Sequence, residues 1–490
     1  MAVCDAADNL PANRAQTSRI RVNFDREHFQ IPALGKNGPD RTGQQTMAHN
    51  DTAPTAPFLQ RYVLEAVPRY TSYPPATRFH DGVGAADWKS WMDDQPERPV
   101  LSLYVHIPFC KTMCWYCGCN TTVPNKDDRV ARYLDALDKE IQTRPIPVDG
   151  IVHHIHFGGG SPDMLSPARF RRIMEAFRER FEMAEDAEIA VELDPRGVTE
   201  DLAAALAGAG VTRASLGVQD LSPEVQTLIH RIQPAESVAR AAMRLRRAGI
   251  AAINMDIMYG LPAQTVERVE ATARAVADMG ADRVSVFGYA HVPWFKKHQR
   301  AIPEDRLPGA RERFDQMHAA AACLKDTGYQ AIGFDHFARP DDSLARAARS
   351  GGLRRNFQGY TNDPYDVLIG YGASSISESR QGYIQNLTDP AHYANALETG
   401  APVQVRGLSR TTEERATGER IARLLCDFRV EAGPDGFDRD ALADVIADGL
   451  VELTGDQLIV TAAGRPYVRN IAARIDPAFQ TAQNQHSQAV

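Results

Sequence analysis

From about residue 100, short apolar runs alternate along the chain with longer amphipathic segments. The apolar runs are typical of β-strands, and apolar positions that recur every three or four residues predict helices between them. The predicted strands cover 101–108, 152–158, 188–195, 213–219, 252–260 and 283–290, and the clearest helices cover 129–141, 169–181 and 268–280. Repeated strand–helix–strand units predict parallel strands with right-handed crossovers. The predicted fold class is α/β, in the form of a partial (β/α)6 barrel.

Short distinctive motifs follow the predicted strands. They read HIPFC, FGGGSP, VELDP, GVQD, MDIMYGLP and YAH. Active sites of β/α barrels lie at the C-terminal ends of the strands. We therefore expect these motifs to converge on one site.

The pattern changes outside the predicted barrel. Residues 1–46 are polar without a sustained period, which predicts a disordered extension, and Met47 is a candidate start of translation. Residues 47–100 form an N-terminal segment, residues 101–330 the barrel, and residues 331–490 a C-terminal domain. That domain shows helical patterns at 418–428 and 437–451, then a hairpin at 450–464 and a last helix. We expect a mainly α-helical, winged-helix-like module that packs against the barrel.

Composition narrows the function classes. The formal net charge of −8 and the absence of a clustered basic segment argue against binding to nucleic acid. No run approaches the roughly 20 apolar residues that span a bilayer, and no apolar core of a secretory signal is present. We expect a cytoplasmic protein, and a monomer because no apolar seam stands out.

Four of the seven cysteines lie within ten residues: Cys110, Cys114, Cys117 and Cys119. In a reducing compartment such a cluster points to a metal rather than to disulfides. Three thiolates can bind three irons of a [4Fe–4S] cube and leave the fourth iron open. The alternative is structural zinc, which needs four closed ligands and would place all four sulfurs in one loop.

The spacing Cys-x3-Cys-x2-Cys, with an aromatic residue before the last cysteine, resembles the radical S-adenosylmethionine (SAM) superfamily. Within it, the chain resembles the family of oxygen-independent coproporphyrinogen III oxidases from about residue 60 to 475. The matching motifs are PRYTSYPPA, LYVHIPFC, CWYCGCN, GGGSP, GVQD, IMYGLP, DHFARPDD, RRNFQGYT and GRPYVRNI.

The resemblance implies a [4Fe–4S] cluster and two SAM molecules per site. It implies that the cluster is ligated by Cys110, Cys114 and Cys117. It places the first SAM against Tyr104, Gly159, Glu192 and Ile376, and the second against Tyr116, Gly160, Ser161, Gln219, Arg231, Asp256 and Ala290. The implied catalytic residues are Tyr104, Cys119, Phe357 and Gln358.

The implied substrate is coproporphyrinogen III. Two of its propionates would be oxidatively decarboxylated to vinyl groups, giving protoporphyrinogen IX, with an electron donor and an acceptor that the sequence does not identify. Arginine matches carboxylates well, so Arg69, Arg339 and Arg355 are candidates for binding the propionates. The main alternative is a heme chaperone of a related branch, although Cys119 favours the oxidase.

Overall fold

A computed structural model describes residues 56–479 of the chain. The predictions for residues 1–46 and for Met47 lie outside the described residues. The strands are β1 Val100–Ile107, β2 Ile151–Gly159, β3 Glu182–Leu193, β4 Arg213–Gln219, β5 Ala252–Tyr259, β6 Arg283–Gly288, β7 Gln330–Ile332, β8 His336–Ala338, β9 Arg354–Asn356, β10 Gly359–Thr361, β11 Val367–Tyr371, β12 Ile376–Ser379, β13 Gly382–Asn386, β14 Gln404–Ser409, β15 Arg429–Glu431, β16 Val451–Thr454 and β17 Gln457–Val460.

Helices separate most of these strands. The α-helices are α1 Gln60–Leu64, α2 Ala85–Asp93, α3 Asp127–Thr143, α4 Pro167–Arg180, α5 Glu200–Gly208, α6 Pro223–Leu228, α7 Ala235–Ala248, α8 Val266–Asp278, α9 Ala310–Asp326, α10 Ser343–Ser350, α11 Pro390–Thr399, α12 Thr412–Asp427, α13 Ala443–Ala447 and α14 Val468–Arg474. Several of these helices begin directly after a residue whose side chain caps the helix N-terminus. Ser166, Thr199 and Thr265 each accept a hydrogen bond from a backbone amide in the first turn of the following helix.

The first six strands are parallel neighbours in the order β1 to β6, so the predicted α/β architecture is confirmed. The sheet is wider than the sequence pattern indicates and contains twelve strands. On one side β11 pairs parallel with β1 and leads to β12, β13 and β14; on the other side β8 and β7 extend β6. The sheet thus crosses the division that the sequence pattern placed between residues 330 and 331.

Alternation along the strands gives the barrel two chemically different faces. In β1, Leu101, Leu103, Val105 and Ile107 are fully buried, whereas Ser102, Tyr104 and His106 line an internal cavity. β5 repeats this arrangement, with buried Ile253, Met255 and Ile257 between cavity-lining Asn254 and Asp256. Because successive side chains of a strand point to opposite faces, one set packs under the helices and the other forms a polar interior.

The C-terminal part contains the expected hairpin, β16 and β17, which β15 extends to three strands beside α12. The helix predicted over 437–451 is wrong in length, since only Ala443–Ala447 is α-helical. Asp438 accepts hydrogen bonds from the amides of Asp440 and Ala441 and forms a turn instead. Gly449, with φ of +69°, lies directly after the helix and turns the chain.

The N-terminal segment lies against α14, the last helix of residues 56–479. Arg469 donates to the carbonyls of Val67 and Pro68, and Asn470 donates to the carbonyl of Tyr62. Tyr70 and Tyr73 both donate to the carboxylate of Asp476. These contacts fix residues 62–73 beside α14, and they bring Arg69 and Arg469 to the same side of the barrel.

Candidate active site

The four clustered cysteines occupy the loop that follows β1. Cys114 is buried, Cys110 and Cys117 are partly buried, and Cys119 is exposed. The Cys110 thiol lies 3.2 Å from the hydroxyl of Thr121. The Cys119 thiol donates to Cys117, which is the main reason that the pKa of Cys117 is lowered to about 6. The loop therefore places several thiols together and stabilises one of them as a thiolate.

Guanidinium groups surround Cys114. Arg231 Nη1 donates to Cys114 Sγ at 3.4 Å, and Arg196 Nη2 lies 3.9 Å from the same sulfur. Both arginines also bind the carboxylate of Asp194, which caps the short turn after β3. Burial acts to raise the pKa of Asp194, but these two cations lower it below its usual range. Hydrogen bonds from cations stabilise an ionised sulfur.

The glycines that follow β2 fit tightly against this loop. The nearest neighbours of an added Cβ would be the Glu192 carboxylate at Gly158, the His106 ring at Gly159, and the carbonyl of Phe109 at Gly160. The amide of Gly160 donates to the carbonyl of Ile107 at 2.8 Å. Gly159 has φ of +112°, a conformation that favours glycine. The three glycines therefore let the backbone approach Glu192, His106 and the cysteine loop.

A chain of hydrogen bonds runs from β1 to the cysteine loop. His106 Nε2 donates to the carbonyl of Asn120 at 2.9 Å, so Nδ1 of the neutral ring accepts from the Tyr104 hydroxyl at 3.0 Å. Burial lowers the pKa of His106, which favours this neutral form. The Tyr104 ring also stacks on His156, with ring centroids 5.9 Å apart. Tyr104 is thereby held in one orientation at the cavity wall.

Glu192 lies at the C-terminal end of β3. Its Oε1 accepts from His156 Nε2 at 2.9 Å, and its Oε2 accepts from the amide of Gly159 at 3.4 Å. Burial acts to raise the pKa of Glu192, but these hydrogen bonds and the charge of His156 lower it below its usual range. The carboxylate is ionised and lines the cavity, where its remaining lone pairs can accept from a ligand.

The barrel encloses a cavity of about 490 Å³. It brings together eight of the residues predicted from the sequence: Tyr104, Cys119, Gly159, Glu192, Asp256, Phe357, Gln358 and Ile376. Asp256 projects from β5 opposite Ser285, and burial raises its pKa to about 6. We name this space the inner cavity.

The other predicted SAM contacts lie close to the cysteine loop or at the end of β6. Arg231 Nη2 donates to the carbonyl of Gly217, near the Gln219 amide. The Ser161 hydroxyl is buried, donates to Asp163 and accepts from the amide of Asp194. The carbonyls of Tyr116 and Ala290 both accept from the side chain of Gln299. The structure thus places most predicted contacts of the second SAM in two groups, one beside Cys114 and one beside Gln299, whereas Asp256 lies in the inner cavity.

A larger cavity of about 1350 Å³ adjoins the inner cavity. The two share the side chains of Phe287, His336, Phe357 and Gln358, and we name the larger one the outer cavity. Its wall contains four arginines, which are Arg69, Arg313, Arg355 and Arg469. Of the three arginines predicted to bind propionates, Arg69 and Arg355 line it. Arg339 instead stacks on the ring of Tyr329 at 4.8 Å.

These arginines act on one another electrostatically. Burial, together with the charges of Arg69 and Arg355, lowers the pKa of Arg469 to about 10. Arg355 lies against the rings of Phe334 and Tyr360, and its nearest carboxylate oxygen, on Asp335, is 4.0 Å away. Among the described residues, the wall of the outer cavity has four arginines and one carboxylate, that of Asp335. This excess of positive charge favours an anionic ligand.

Sequence reasoning missed several functional candidates. His106 stands two residues after Tyr104, so period-2 alternation places both side chains on the cavity face of β1. His156 could be found by the same alternation within β2. Arg313 lies in the ordinary helical pattern of α9 and Arg469 in the motif GRPYVRNI, and only the folded structure brings the two arginines to the outer cavity.

The donor set of the cysteine loop fits an iron–sulfur cluster. It offers three thiols in the predicted spacing, with hydrogen-bond donors beside Cys110 and Cys114. Across residues 56–479, no three His, Cys, Asp or Glu side chains converge as they would around one metal ion. A [4Fe–4S] cube does not need that convergence, since each thiolate binds a different iron. A single zinc ion does need it.

Comparison with known proteins agrees with this geometry. The family model described as the radical SAM superfamily matches residues 104–276. The oxygen-independent coproporphyrinogen III oxidase of Bradyrhizobium diazoefficiens is 44% identical over 442 residues, which is 88% of this chain and 98% of that protein. The enzyme of the same name from Escherichia coli K12 is 40% identical over 432 residues, covering 86% and 94%.

A solved structure supports the same relationship. Coproporphyrinogen III oxidase from Escherichia coli, described as a radical SAM enzyme, superposes with a TM-score of 0.80 at 39% identity and covers 84% of this chain and 97% of that one. None of the helices between residues 56 and 479 has the length and apolar character needed to cross a bilayer. The chain belongs to the oxygen-independent coproporphyrinogen III oxidase family of the radical SAM superfamily.

Proposed function

We propose that this chain is an oxidoreductase that decarboxylates two propionate side chains of coproporphyrinogen III to vinyl groups without oxygen, yielding protoporphyrinogen IX. One observation carries the proposal. An outer cavity with four arginines adjoins an inner cavity that holds Tyr104, Cys119 and Glu192. A substrate with four carboxylates and an apolar macrocycle fits the outer cavity. Because the two cavities share a wall, one propionate of a substrate bound there would lie near the inner cavity.

The cofactors are a [4Fe–4S] cluster and SAM. Cys110, Cys114 and Cys117 would hold the cluster. When bound, the cluster and SAM together supply the 5′-deoxyadenosyl radical that abstracts hydrogen from a propionate. Two SAM molecules are expected per site. The predicted contacts of the first SAM all line the inner cavity, and most of those of the second lie beside the cysteine loop or Gln299.

The chain's own residues position these groups. Arg231 and Arg196 direct guanidinium N–H groups at the sulfur of Cys114. Glu192 is ionised and can accept hydrogen bonds from ribose hydroxyls. Tyr104 is held by His106 and forms part of the wall of the inner cavity. These contacts fix the reacting groups in one geometry, which excludes side reactions of a primary carbon radical.

Phe357 and Gln358 form the partition between the cavities. They lie in the turn between β9 and β10, where the Phe357 ring packs edge-on against Tyr383. Gln358 Oε1 is buried without a hydrogen-bond partner among the described residues. Such an atom favours a ligand donor, and a pyrrole N–H of the substrate is of that class.

The proposal is tested by an anaerobic assay. Reconstituted protein is mixed with coproporphyrinogen III, SAM and dithionite, and protoporphyrinogen IX is followed by chromatography. We expect product with the wild type and none with Cys114→Ser, whereas Cys323→Ala, a buried cysteine of α9, retains activity. SAM cleavage with unchanged porphyrinogen would overturn the substrate assignment.

The heme-chaperone alternative is not favoured, because the relatives described above carry the oxidase name over nearly their whole length. Stable binding of heme by the wild type without any decarboxylation would reverse this choice.

We further propose that the protein acts as a cytoplasmic monomer and receives electrons from, and passes them to, partners that its sequence does not identify. We also propose that residues 101–330 and 331–490 act as a barrel and a C-terminal domain. Sedimentation of the holoprotein at one protomer mass tests the oligomeric state. Limited proteolysis tests the division, and cleavage is expected in the loop between β7 and β8 rather than inside the sheet that both parts share.

A further inference from the structure

Two aromatic side chains stand at the wall of the outer cavity in an exposed position. Trp294 and Phe295 are each 75% exposed, and both line this cavity. Adjacent exposed aromatic rings in the wall of a cavity are candidates for a binding role, because burial of aromatic surface by a ligand is strongly favourable. Their neighbours in the wall include apolar Leu307, Met317 and Phe334. This part of the wall is therefore suited to an apolar ligand surface.

The segment that carries these rings is a short turn. The amides of Phe295 and Lys296 both donate to the carbonyl of Val292, at 2.9 and 2.8 Å. The side chain of Gln299, which is 1% exposed, joins this turn to its surroundings. Its Oε1 accepts from the amide of Val292 at 2.6 Å, and its Nε2 donates to the carbonyl of Tyr116 at 3.0 Å.

The same turn also holds the cysteine loop directly. Lys296 Nζ donates to the carbonyl of Cys119 at 2.8 Å, and His298 Nε2 donates to the carbonyl of Cys117 at 2.7 Å. Together with Gln299, these side chains bind the backbone of three residues of the cysteine loop. One segment therefore contacts both the outer cavity and the loop that carries the predicted cluster ligands.

We propose that residues 290–299 form a substrate-sensing segment, in which Trp294 and Phe295 bind the tetrapyrrole macrocycle while Lys296, His298 and Gln299 position the cysteine loop. The inference rests on the proposed function, since it names the part of the substrate that these residues bind. Arginines can bind the propionates, but the macrocycle between them is apolar and needs apolar contacts. The two exposed rings supply those contacts.

Coupling between the two sites follows from this arrangement. When the macrocycle contacts Trp294 and Phe295, the turn at 292–296 loses freedom, and the carbonyls of Tyr116, Cys117 and Cys119 are fixed with it. SAM cleavage then proceeds in step with substrate binding. Trp294 and Phe295 are substrate-binding residues in this scheme, and Gln299 is a positioning residue that acts through the cysteine loop.

The substrate contact is tested with Trp294→Ala combined with Phe295→Ala. We expect the KM for coproporphyrinogen III to rise about tenfold to a hundredfold, the scale of losing one to two buried rings. Trp294→Phe and Phe295→Tyr should keep the KM within about threefold of the wild type, since they keep an aromatic ring. Val148→Ala, at an 80% exposed position outside the outer cavity, is the matched control and should change nothing.

Binding is measured separately from turnover. Anaerobic titration with coproporphyrinogen III, without SAM or reductant, should quench the fluorescence of Trp294, and Trp294→Phe should lose this component. Of the other three tryptophans, Trp88 and Trp91 are buried and Trp115 is partly buried against His230, so the difference between the wild type and Trp294→Phe isolates the signal of Trp294. Anaerobic titration calorimetry, which does not depend on Trp294, gives the dissociation constant of the double variant. An unchanged KM and an unchanged calorimetric dissociation constant in that variant would overturn the inference while the proposed function stands. Failure of the wild type to bind and convert the substrate would overturn both.

Coupling is tested with Gln299→Met, which keeps the length of the side chain but removes its hydrogen bonds. We expect more 5′-deoxyadenosine per vinyl group formed, by about threefold or more, at unchanged iron and sulfide content. The double Trp294→Ala, Phe295→Ala variant should show the same excess at saturating substrate. A wild-type ratio in both variants would overturn the coupling.

Discussion

The inner and outer cavities adjoin each other but have opposite charge. The inner cavity has four carboxylates in its wall, those of Glu188, Glu192, Asp256 and Asp363, against two arginines. The outer cavity has four arginines against the single carboxylate of Asp335. The first suits a ligand with cationic and hydroxyl groups, such as SAM, and the second suits a polyanion.

The difference in charge between the cavities explains how one barrel can bind SAM and a polyanion at separate places. Oppositely charged walls reject the wrong ligand as well as attract the right one, which is an effective way to obtain specificity. Only four side chains form the shared wall among the described residues, and they include Phe357 and Gln358. The reaction is therefore expected where the substrate reaches across this wall.

The largest expected effect lies on the radical-generating side. Glu192→Gln removes one of the four negative charges in the wall of the inner cavity but keeps the shape of the side chain. We expect SAM cleavage to fall about tenfold to a hundredfold, because the charge is lost and one acceptor oxygen becomes an NH2 group that must face either His156 or the amide of Gly159, both of which are donors. The KM for coproporphyrinogen III should stay within about twofold. Glu398→Gln, an exposed glutamate paired with Arg132, is the control. A loss confined to the porphyrinogen KM would contradict the assignment.

A second expected effect belongs to the outer cavity. Arg355→Gln and Arg69→Gln should each raise the KM for coproporphyrinogen III about tenfold, since each removes a charge-assisted contact with a propionate. The KM for SAM should remain unchanged. Steady-state kinetics with each substrate varied in turn measure the split. If both KM values rose equally, the two cavities would not be functionally separate.

A smaller effect concerns pH and the carboxyl of Asp256. Its pKa is about 6 in the folded protein against an ordinary 3.8, so the folded chain retains a proton that the unfolded chain loses. Its contribution to stability is thus present below about pH 4 and is lost as the pH rises to 6. We expect the melting temperature of the wild type to fall by about 2–4 °C between pH 4 and pH 6 because of this group, and Asp256→Asn should abolish that fall.

A comparison variant distinguishes Asp256 from another buried carboxyl. Burial also raises the pKa of Asp220 to about 6, but Asp220 binds Gln264 and the amide of Ser222. Asp220→Asn should flatten the pH dependence in the same way. Only Asp256→Asn should also weaken the thermal stabilisation that SAM gives. If SAM stabilised both variants to the same reduced extent, Asp256 would not be a specific contact of SAM.

The smallest expected effect is that of Arg339. It lies on Tyr329 rather than in the outer cavity, so Arg339→Ala should leave the KM for coproporphyrinogen III within about twofold. Loss of the cation–π contact should lower the free energy of unfolding by about 0.5–1 kcal/mol, as measured by denaturant titration. A tenfold rise in KM would show that the outer cavity extends further than its wall indicates.

Much of the barrel and its site could be predicted from the sequence, because local patterns determine them. Strand alternation predicted β1 to β6 within one or two residues at most ends, except that β3 begins earlier, at Glu182. The motifs after β1, β2, β3 and β5 meet at the inner cavity through His106, Gly159, Glu192 and Asp256, whereas the motif YAH after β6 lines the outer cavity. Residue identity and spacing carried this information within short stretches of chain.

The rest depended on contacts distant in sequence. The strand β11 lies beside β1 although more than 250 residues separate them, and no pattern near either strand specifies that pairing. The arginines of the outer cavity come from the N-terminal segment, α9, β9 and α14. Arg339 looked equivalent to Arg355 in the sequence, but its place beside Tyr329 depends on tertiary packing.

The contact between the N-terminal segment and α14 has a consequence for synthesis of the protein. A ribosome releases Arg69 early and Arg469 only after 400 further residues, and the hydrogen bonds of Arg469 with Val67 and Pro68 wait for that release. The barrel strands emerge first and can begin to pair, since chains fold from the N-terminal side during translation. The outer cavity, whose wall includes Arg69 and Arg469, is thus completed last. A nascent chain can form the cysteine loop before the outer cavity exists.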